Sequence, residues 1–341
     1  ALDPGTGAVI AMASSPSFDP NRFAVGIGES EWNQIGSSPL FPLQNRVASG
    51  QYPAASVFKA VMAVAALEEN VVDPGERIFC GGSFSLGDST FRCWKKGGHG
   101  NVDLHRAIVE SCDVYFYRIG LRLGVEKIAE WSREMGLGAR SGFELGGERP
   151  GLVPTDSWKR ERFGVPWQAG ETVSLSIGQS FLLVTPLQVS TMMAALFNGG
   201  VFYRPQVTEW VGNEEETFYR FQPEEVGRVH LSAETLRLVQ RSLVGAVNDV
   251  RATGSRAKLK STLVAGKTGT AQVIALDRGR ELEADGEVPE HFRDHAWFVA
   301  AAPADDPQIV VAVLVEHAGH GGGAVAPIAR EIIKTYLELD S

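Results

Sequence analysis

Apolar residues run from Val57 to Leu67 with a single interruption, Lys59. Positions 57, 58, 61, 62, 64, 65 and 67 put apolar side chains on nearly every side of a helix over residues 56–69, which predicts a central helix rather than a surface one. Further helices are predicted over 104–123, 125–135 and 186–197, the last stopped by Asn198-Gly199-Gly200. Ser232 is placed to cap a helix running to Asn248, and Leu231 and Leu236 are spaced for a hydrophobic staple across that cap. Short apolar runs over 8–13, 262–267, 296–302 and 309–316 read as strands. The first is expected to be buried, between a turn at Asp3-Pro4-Gly5 and a Ser/Pro/Asp/Asn loop. Residues 326–337 carry an amphipathic pattern and form the last helix. Gly- and Cys-bearing loops fill 79–101, and 140–172 reads as a long surface excursion rich in Gly, Pro and Trp. The charged stretch 275–294 reads as a solvated hairpin or disordered loop that could also gate a cleft.

Strands at both ends and helices between them predict an α/β (α+β) architecture in one domain over 1–341. A sheet part is expected from about 1–65 and 255–341, and a mainly helical part from about 66–254. There is no internal repeat. Composition changes this picture little: 44% hydrophobic and 21% charged residues fit a globular chain. The net charge of −9, without a long basic run, argues against nucleic acid as a partner. No apolar run is long enough to cross a bilayer. The chain opens on Ala1-Leu2-Asp3-Pro4 rather than Met, and is expected to be a segment of something longer with any membrane anchor upstream.

Chemistry enters at three places. Ser56 and Lys59 are three apart and share a helix face. A serine hydroxyl is a poor nucleophile until a base takes its proton. A lysine serves as that base only when its pKa falls, which burial against Phe58 and Met62 would promote. Alone, the pair reads first as a polar first turn with a snorkelling lysine. Ser111 and Asp113 supply a second motif, S-x-D, and Lys267-Thr268-Gly269-Thr270 a third, K-T-G, at the end of a strand-like run. The order S-x-x-K, S-x-[N/D], K-T-G is the signature of serine penicillin-recognising enzymes.

The stretches "GAVIAMASSPSFDPNRF", "LQNRVASGQYPAASVFK", "AIVESCDVYFYRIG", "SIGQSFLLVTPLQVS", "AGKTGTAQV" and "HAWFVAAAP" extend the similarity over essentially the whole chain. It resembles the transpeptidase domain of class B penicillin-binding proteins, and within them the elongation-type PBP2 group, which Asp113 also suits. It departs from that pattern at Ala54-Ala55, where the family more often has Pro-Gly before the serine, and at Ser180, where Gly is usual.

The resemblance implies a serine β-lactamase/D,D-peptidase-like fold with a central antiparallel five-stranded sheet flanked by helices. It implies a peptidoglycan D,D-transpeptidase. Ser56 would attack the carbonyl between the two terminal D-alanines of a stem peptide, and Lys59 would accept its proton. Ser111, between Lys59 and Lys267, would pass a proton to the leaving D-alanine. Backbone N–H groups of Ser56 and Thr270 would hold the oxyanion. Lys267, Thr268, Gly269 and Thr270 would form the substrate strand, with Asp113 bonded to Lys59 and the substrate amide. An amine from a neighbouring stem would resolve the acyl-enzyme, with no cofactor needed for catalysis. β-Lactam antibiotics are the expected inhibitors, a glycosyltransferase and elongation-complex proteins the expected partners, and the periplasmic face of the bacterial inner membrane the expected location. The rivals are a serine β-lactamase, a D,D-carboxypeptidase and a non-catalytic β-lactam sensor.

All three cysteines lie in one window with a histidine: Cys80, Cys93, His99 and Cys112. Three thiols and an imidazole match a closed structural zinc site, with Asp103 and His105 as substitute ligands. A Cys80–Cys93 disulfide and buried free thiols are the alternatives. A metal here would pin the motif that contains Cys112. His230, His291, His295, His317 and His320 show no ligand spacing, and the glycine-rich 317–327 lacks phosphate-loop order and reads as a connector or a cleft rim. Trp158 and Trp167 read as core or as partner contacts.

Overall fold

The computed structural model describes residues 1–213, 215–273, 289–319 and 321–339. Three antiparallel strands carry the sheet: β1 (Ala265–Ala271), β2 (His295–Ala302) and β3 (Ile309–Val315), in the order β3-β2-β1. Along β2, Trp297, Val299 and Ala301 enter one hydrophobic core, and Ala296, Phe298, Ala300 and Ala302 enter a second on the other face. A strand covered on both faces has no reason to alternate, which is why β2 reads as a continuous apolar run.

The sequence misplaces β1. The strand does not span 262–267; it begins at Ala265 and carries the whole K-T-G motif, with Lys267 opposite Val299 and Gly269 opposite Trp297. Pairing along β2 overrides the weak strand preference of Gly and Thr-Gly pairs. The expected buried strand at 8–13 is also corrected. Leu2 bridges Val310 on one side and Val9 on the other, so the sheet gains two further lines of one bridge each. Ile10, Ala11 and Ala13 are exposed. The five lines implied by the resemblance are therefore three full strands and two single bridges.

The central helix stands as expected, in two pieces. A tight 3-10 turn over Ala55–Phe58 leads into α1 (Lys59–Glu68), where every residue from Lys59 to Ala66 is buried. The single helix expected over 104–123 is broken. It forms α2 (Leu104–Val109) and α3 (Asp113–Glu134), separated at Ser111, whose φ of 54° no helix accommodates. Apolar spacing continues through the break, so periodicity does not reveal it. The boundary expected near 124 does exist, as a kink at Gly124 with φ 76° inside α3.

α4 (Pro186–Phe197) starts with a capping box of Thr185 and Gln188. In α5 (Ala233–Asn248) the Ser232 hydroxyl accepts from the Thr235 N–H, as the sequence predicts. α6 (Ala326–Tyr336) buries Ala326, Ala329 and Ile333 in the second core. The 140–172 excursion is partly ordered into a helix over Asp156–Phe163. There Trp158 packs edge-on against Phe163, and Trp167 lies against the main core. Of the charged 275–294 stretch, 275–288 lies outside the described residues.

Candidate active site

The nucleophile turn is held from three sides. Ala55, before Ser56, sits in the left-handed region at φ 50°, and its N–H donates to the Gly178 carbonyl at 2.8 Å. The indole N–H of Trp297 donates to the Pro53 carbonyl at 3.0 Å. Gly269 completes the cradle: a Cβ there would meet Trp297 Cβ at 3.0 Å and Ala55 Cβ at 3.4 Å, so its bare backbone lets β1 lie against the turn.

Ala55 and Ser180, the two departures from the family pattern, are both non-glycine residues at positive φ, 50° and 64°. A left-handed L-residue costs about 1–2 kcal/mol. Glycine removes that cost but gives back about 0.5–1 kcal/mol in chain entropy. Ala55→Gly and Ser180→Gly should each stabilise the fold by roughly 0.5 kcal/mol, read as a higher urea midpoint at unchanged slope. A lower midpoint in both would sink the strain account.

The three motifs converge. Lys59 Nζ donates to Asp113 Oδ1 at 2.6 Å, to the Ser111 carbonyl at 2.9 Å and to Ser111 Oγ at 3.1 Å. Lys267 Nζ lies 3.0 Å from the same Ser111 Oγ and 3.1 Å from the Thr268 carbonyl. Lys59 and Lys267 are both within 1% of full burial. The left-handed backbone at Ser111 aims its hydroxyl between the two amines, which explains the break between α2 and α3.

Burial pushes the Lys267 amine well below the usual lysine range, and the Lys59 charge adds to this. Burial likewise raises the Asp113 carboxyl, opposed by the Lys59 charge. Lys59 Nζ thus spends its N–H groups on three acceptors, and Lys267 Nζ donates to the Ser111 hydroxyl and the Thr268 carbonyl, so Ser111 Oγ is shared between the two amines. Ser56 Oγ makes no hydrogen bond among the described residues.

The remaining motif residues divide. Thr268 points to the other face of β1 from Lys267; its hydroxyl donates to Thr253 Oγ1 at 3.2 Å, and its methyl faces Gly322 of the glycine-rich segment. That segment therefore borders the K-T-G strand. The Thr270 carbonyl accepts from Gln179 Nε2 at 3.3 Å. Sequence reasoning missed Gly178 as a support of the Ser56 turn and Gln179 as a support of β1, although both stand in the S-I-G-Q-S stretch. It also missed Trp94, whose only signal was adjacency to Cys93.

Cys80, Cys93, His99 and Cys112 come together with their ligand atoms within 4.8 Å of one another. Pairing of Ile78–Cys80 with Gly100–Val102 brings His99 beside Cys80, and Cys112 joins as the N-cap of α3. Both Cys80 Sγ and Cys93 Sγ lie 3.5 Å from His99 Nδ1. All three thiols are free, so the Cys80–Cys93 disulfide does not form. A hydrogen bond from Cys112 holds the Cys93 thiol far below its usual range and raises Cys112 in turn. Three buried sulfurs and an imidazole nitrogen thus form a donor set that could bind a metal ion. Asp103 and His105 stay outside: Asp103 caps α2, and His105 contacts Ser242 and Asp249.

A buried lysine behind a serine, with a second serine shared between two lysines at the edge of an antiparallel sheet, defines a serine acyl-transfer domain. The chain belongs to the penicillin-binding protein transpeptidase domain family, which matches residues 1–334. It is 37% identical over 344 residues to the peptidoglycan D,D-transpeptidase MrdA of Haemophilus influenzae, covering 98% of this chain and 52% of that protein. The crystal structure of Pseudomonas aeruginosa PBP2 in complex with WCK 5153 superposes with a TM-score of 0.87 at 34% identity, covering 100% of this chain and 70% of that one. PBP2 of Helicobacter pylori, in complex with MreC, gives a TM-score of 0.82 at 30% identity, covering 98% of this chain and 59% of that one. The chain spans about half the length of the curated relatives it matches. Among the described residues no helix is long and apolar enough to cross a membrane.

Proposed function

We propose that this chain is the D,D-transpeptidase module of an elongation-type cell-wall enzyme, cross-linking peptidoglycan stem peptides through an acyl-enzyme on Ser56. The observation that carries the reading is Ser111 Oγ held at 3.1 and 3.0 Å from Lys59 and Lys267. That is a proton relay beside a nucleophile. Ser56 attacks the D-Ala-D-Ala carbonyl and gives its proton to Lys59. Lys59 must first yield a proton or a bond, and the raised Asp113 carboxyl is the adjacent group able to take one. Ser111 then delivers a proton to the departing D-alanine while Lys59, which took the Ser56 proton, replaces it across 3.1 Å. N–H groups of Ser56 and Thr270 hold the oxyanion, and Lys267, Thr268 and Thr270 receive the substrate carboxylate. A neighbouring stem's amine resolves the ester. β-Lactams enter the same sequence and stop at the ester.

Structural zinc fits the Cys80/Cys93/His99/Cys112 cluster. Three sulfurs and one nitrogen make the closed tetrahedral set. His99 Nδ1 faces the sulfurs, which leaves the proton on Nε2, buried and unpartnered among the described residues. Zinc would supply no chemistry to the acyl transfer; it would fix Cys112 and the motif around it. An MreC-like scaffold, by analogy with the Helicobacter pylori complex, and a glycosyltransferase are the partners, at the periplasmic face of the inner membrane.

The test is intact-mass analysis after exposure to penicillin. One adduct per chain, mapped to the Ser56 peptide and released slowly, supports the reading. Rapid release with free penicilloate favours the β-lactamase. A stable adduct without cross-linking of lipid-linked substrate, when a polymerising partner is added, favours the sensor.

A further inference from the structure

Lys59 holds the S-x-D motif through Asp113 and the Ser111 carbonyl, and each of these has a second acceptor site. One residue fills both. The backbone N–H of Trp94 donates to Asp113 Oδ2 at 2.9 Å, and its indole N–H bridges the carbonyls of Ser111 at 3.0 Å and Glu110 at 3.1 Å. We propose that Trp94 is a positioning residue for the acyl transfer, clamping the Ser111–Asp113 turn so that Ser111 Oγ stays between the two lysines. The inference rests on the acyl-enzyme reading above.

The turn needs such a clamp. Ser111 occupies the left-handed region at φ 54°, a conformation that persists only where its surroundings over-determine it. The indole N–H spans two consecutive carbonyls inside the break between α2 and α3, those of Glu110 and Ser111. The chain leading into Trp94 is tied at the two residues before it. The Tyr117 hydroxyl donates to the Arg92 carbonyl at 2.9 Å. Cys93, the next residue, lies within the sulfur cluster. The ring also stands edge-on to His99, 5.5 Å between centroids. Yet the side chain is 58% exposed. Core packing alone does not account for a tryptophan there. Its two N–H groups do.

The alternative is a lid that merely covers the sulfur cluster. Two variants separate them: Trp94→Phe, and the benzothiophene analogue of tryptophan at position 94, which keeps the ring shape and loses only the N–H. Stopped-flow acylation by penicillin resolves non-covalent affinity from the saturating rate constant. Loss of positioning should lower that rate constant by roughly 10- to 100-fold in both variants, with affinity within about twofold and the melting temperature nearly unchanged. Rates within twofold of the parent chain in both variants would overturn the proposal. So would a rate and affinity that fall together with the melting temperature. A parent chain that takes no label on Ser56 removes the acyl-enzyme reading and this inference with it; a labelled parent with unaffected variants removes only the inference.

Discussion

A Ser56→Ala chain should take no covalent label from a fluorescent penicillin at any concentration, and a Lys59→Met chain should take it at least about 10³-fold more slowly. The first removes the hydroxyl proposed to form the ester. The second removes the amine proposed to accept its proton, while methionine fills most of the same buried volume. The fold should survive. Asp113 loses Lys59 but keeps the N–H of Trp94 at 2.9 Å, and its carboxyl, already raised by burial, can take up a proton rather than remain a lone buried charge. Adding Asp113→Asn to Lys59→Met should therefore recover part of the stability lost in the single variant, without recovering labelling. In-gel fluorescence and denaturant midpoints read the two effects separately. Labelling of Ser56→Ala would refute the nucleophile. A Lys59→Met chain that labels at the parent rate would move the base elsewhere, to Lys267 through Ser111.

The residues proposed for this chemistry were legible for unequal reasons. Ser56 and Lys59 stand out because a lysine interrupts an otherwise apolar helix, and local spacing alone places them on one face. β2 and β3 are legible because burial on both faces makes them uniformly apolar. The K-T-G strand is not: Gly269 is there because Ala55 and Trp297 leave no room for a Cβ, a reason that lies in other parts of the chain. The break at Ser111 is hidden in the same way. Its left-handed backbone is stabilised by contacts from Lys59, Lys267 and Trp94, all remote in sequence, while the local pattern still spells helix. The edge line at Leu2 and Val9 fails because single bridges do not require the alternation that a half-buried strand shows. The cysteine cluster was legible as a donor set and not as a geometry, since the hairpin that swings His99 beside Cys80 is set by pairing.

The sulfur cluster carries the second large effect. Purified without chelator, the chain should contain about one zinc, and stripping it or making Cys112→Ser should lower the melting temperature by several degrees. An ion that binds only the folded chain adds its binding free energy to stability. Zinc held by Cys80, Cys93, His99 and Cys112 would also tie the 93–99 loop to the start of α3, where Cys112 precedes Asp113. Cys112 is fully buried and caps α3 immediately before Asp113, so loosening it disturbs the motif directly. Cys80→Ser, at the far strand of the cluster, should cost as much metal but less acylation rate than Cys112→Ser. Plasma emission spectrometry and melting curves with and without added zinc give the readout. A metal-free chain whose melting is indifferent to chelator would reduce the three thiols to ordinary core residues.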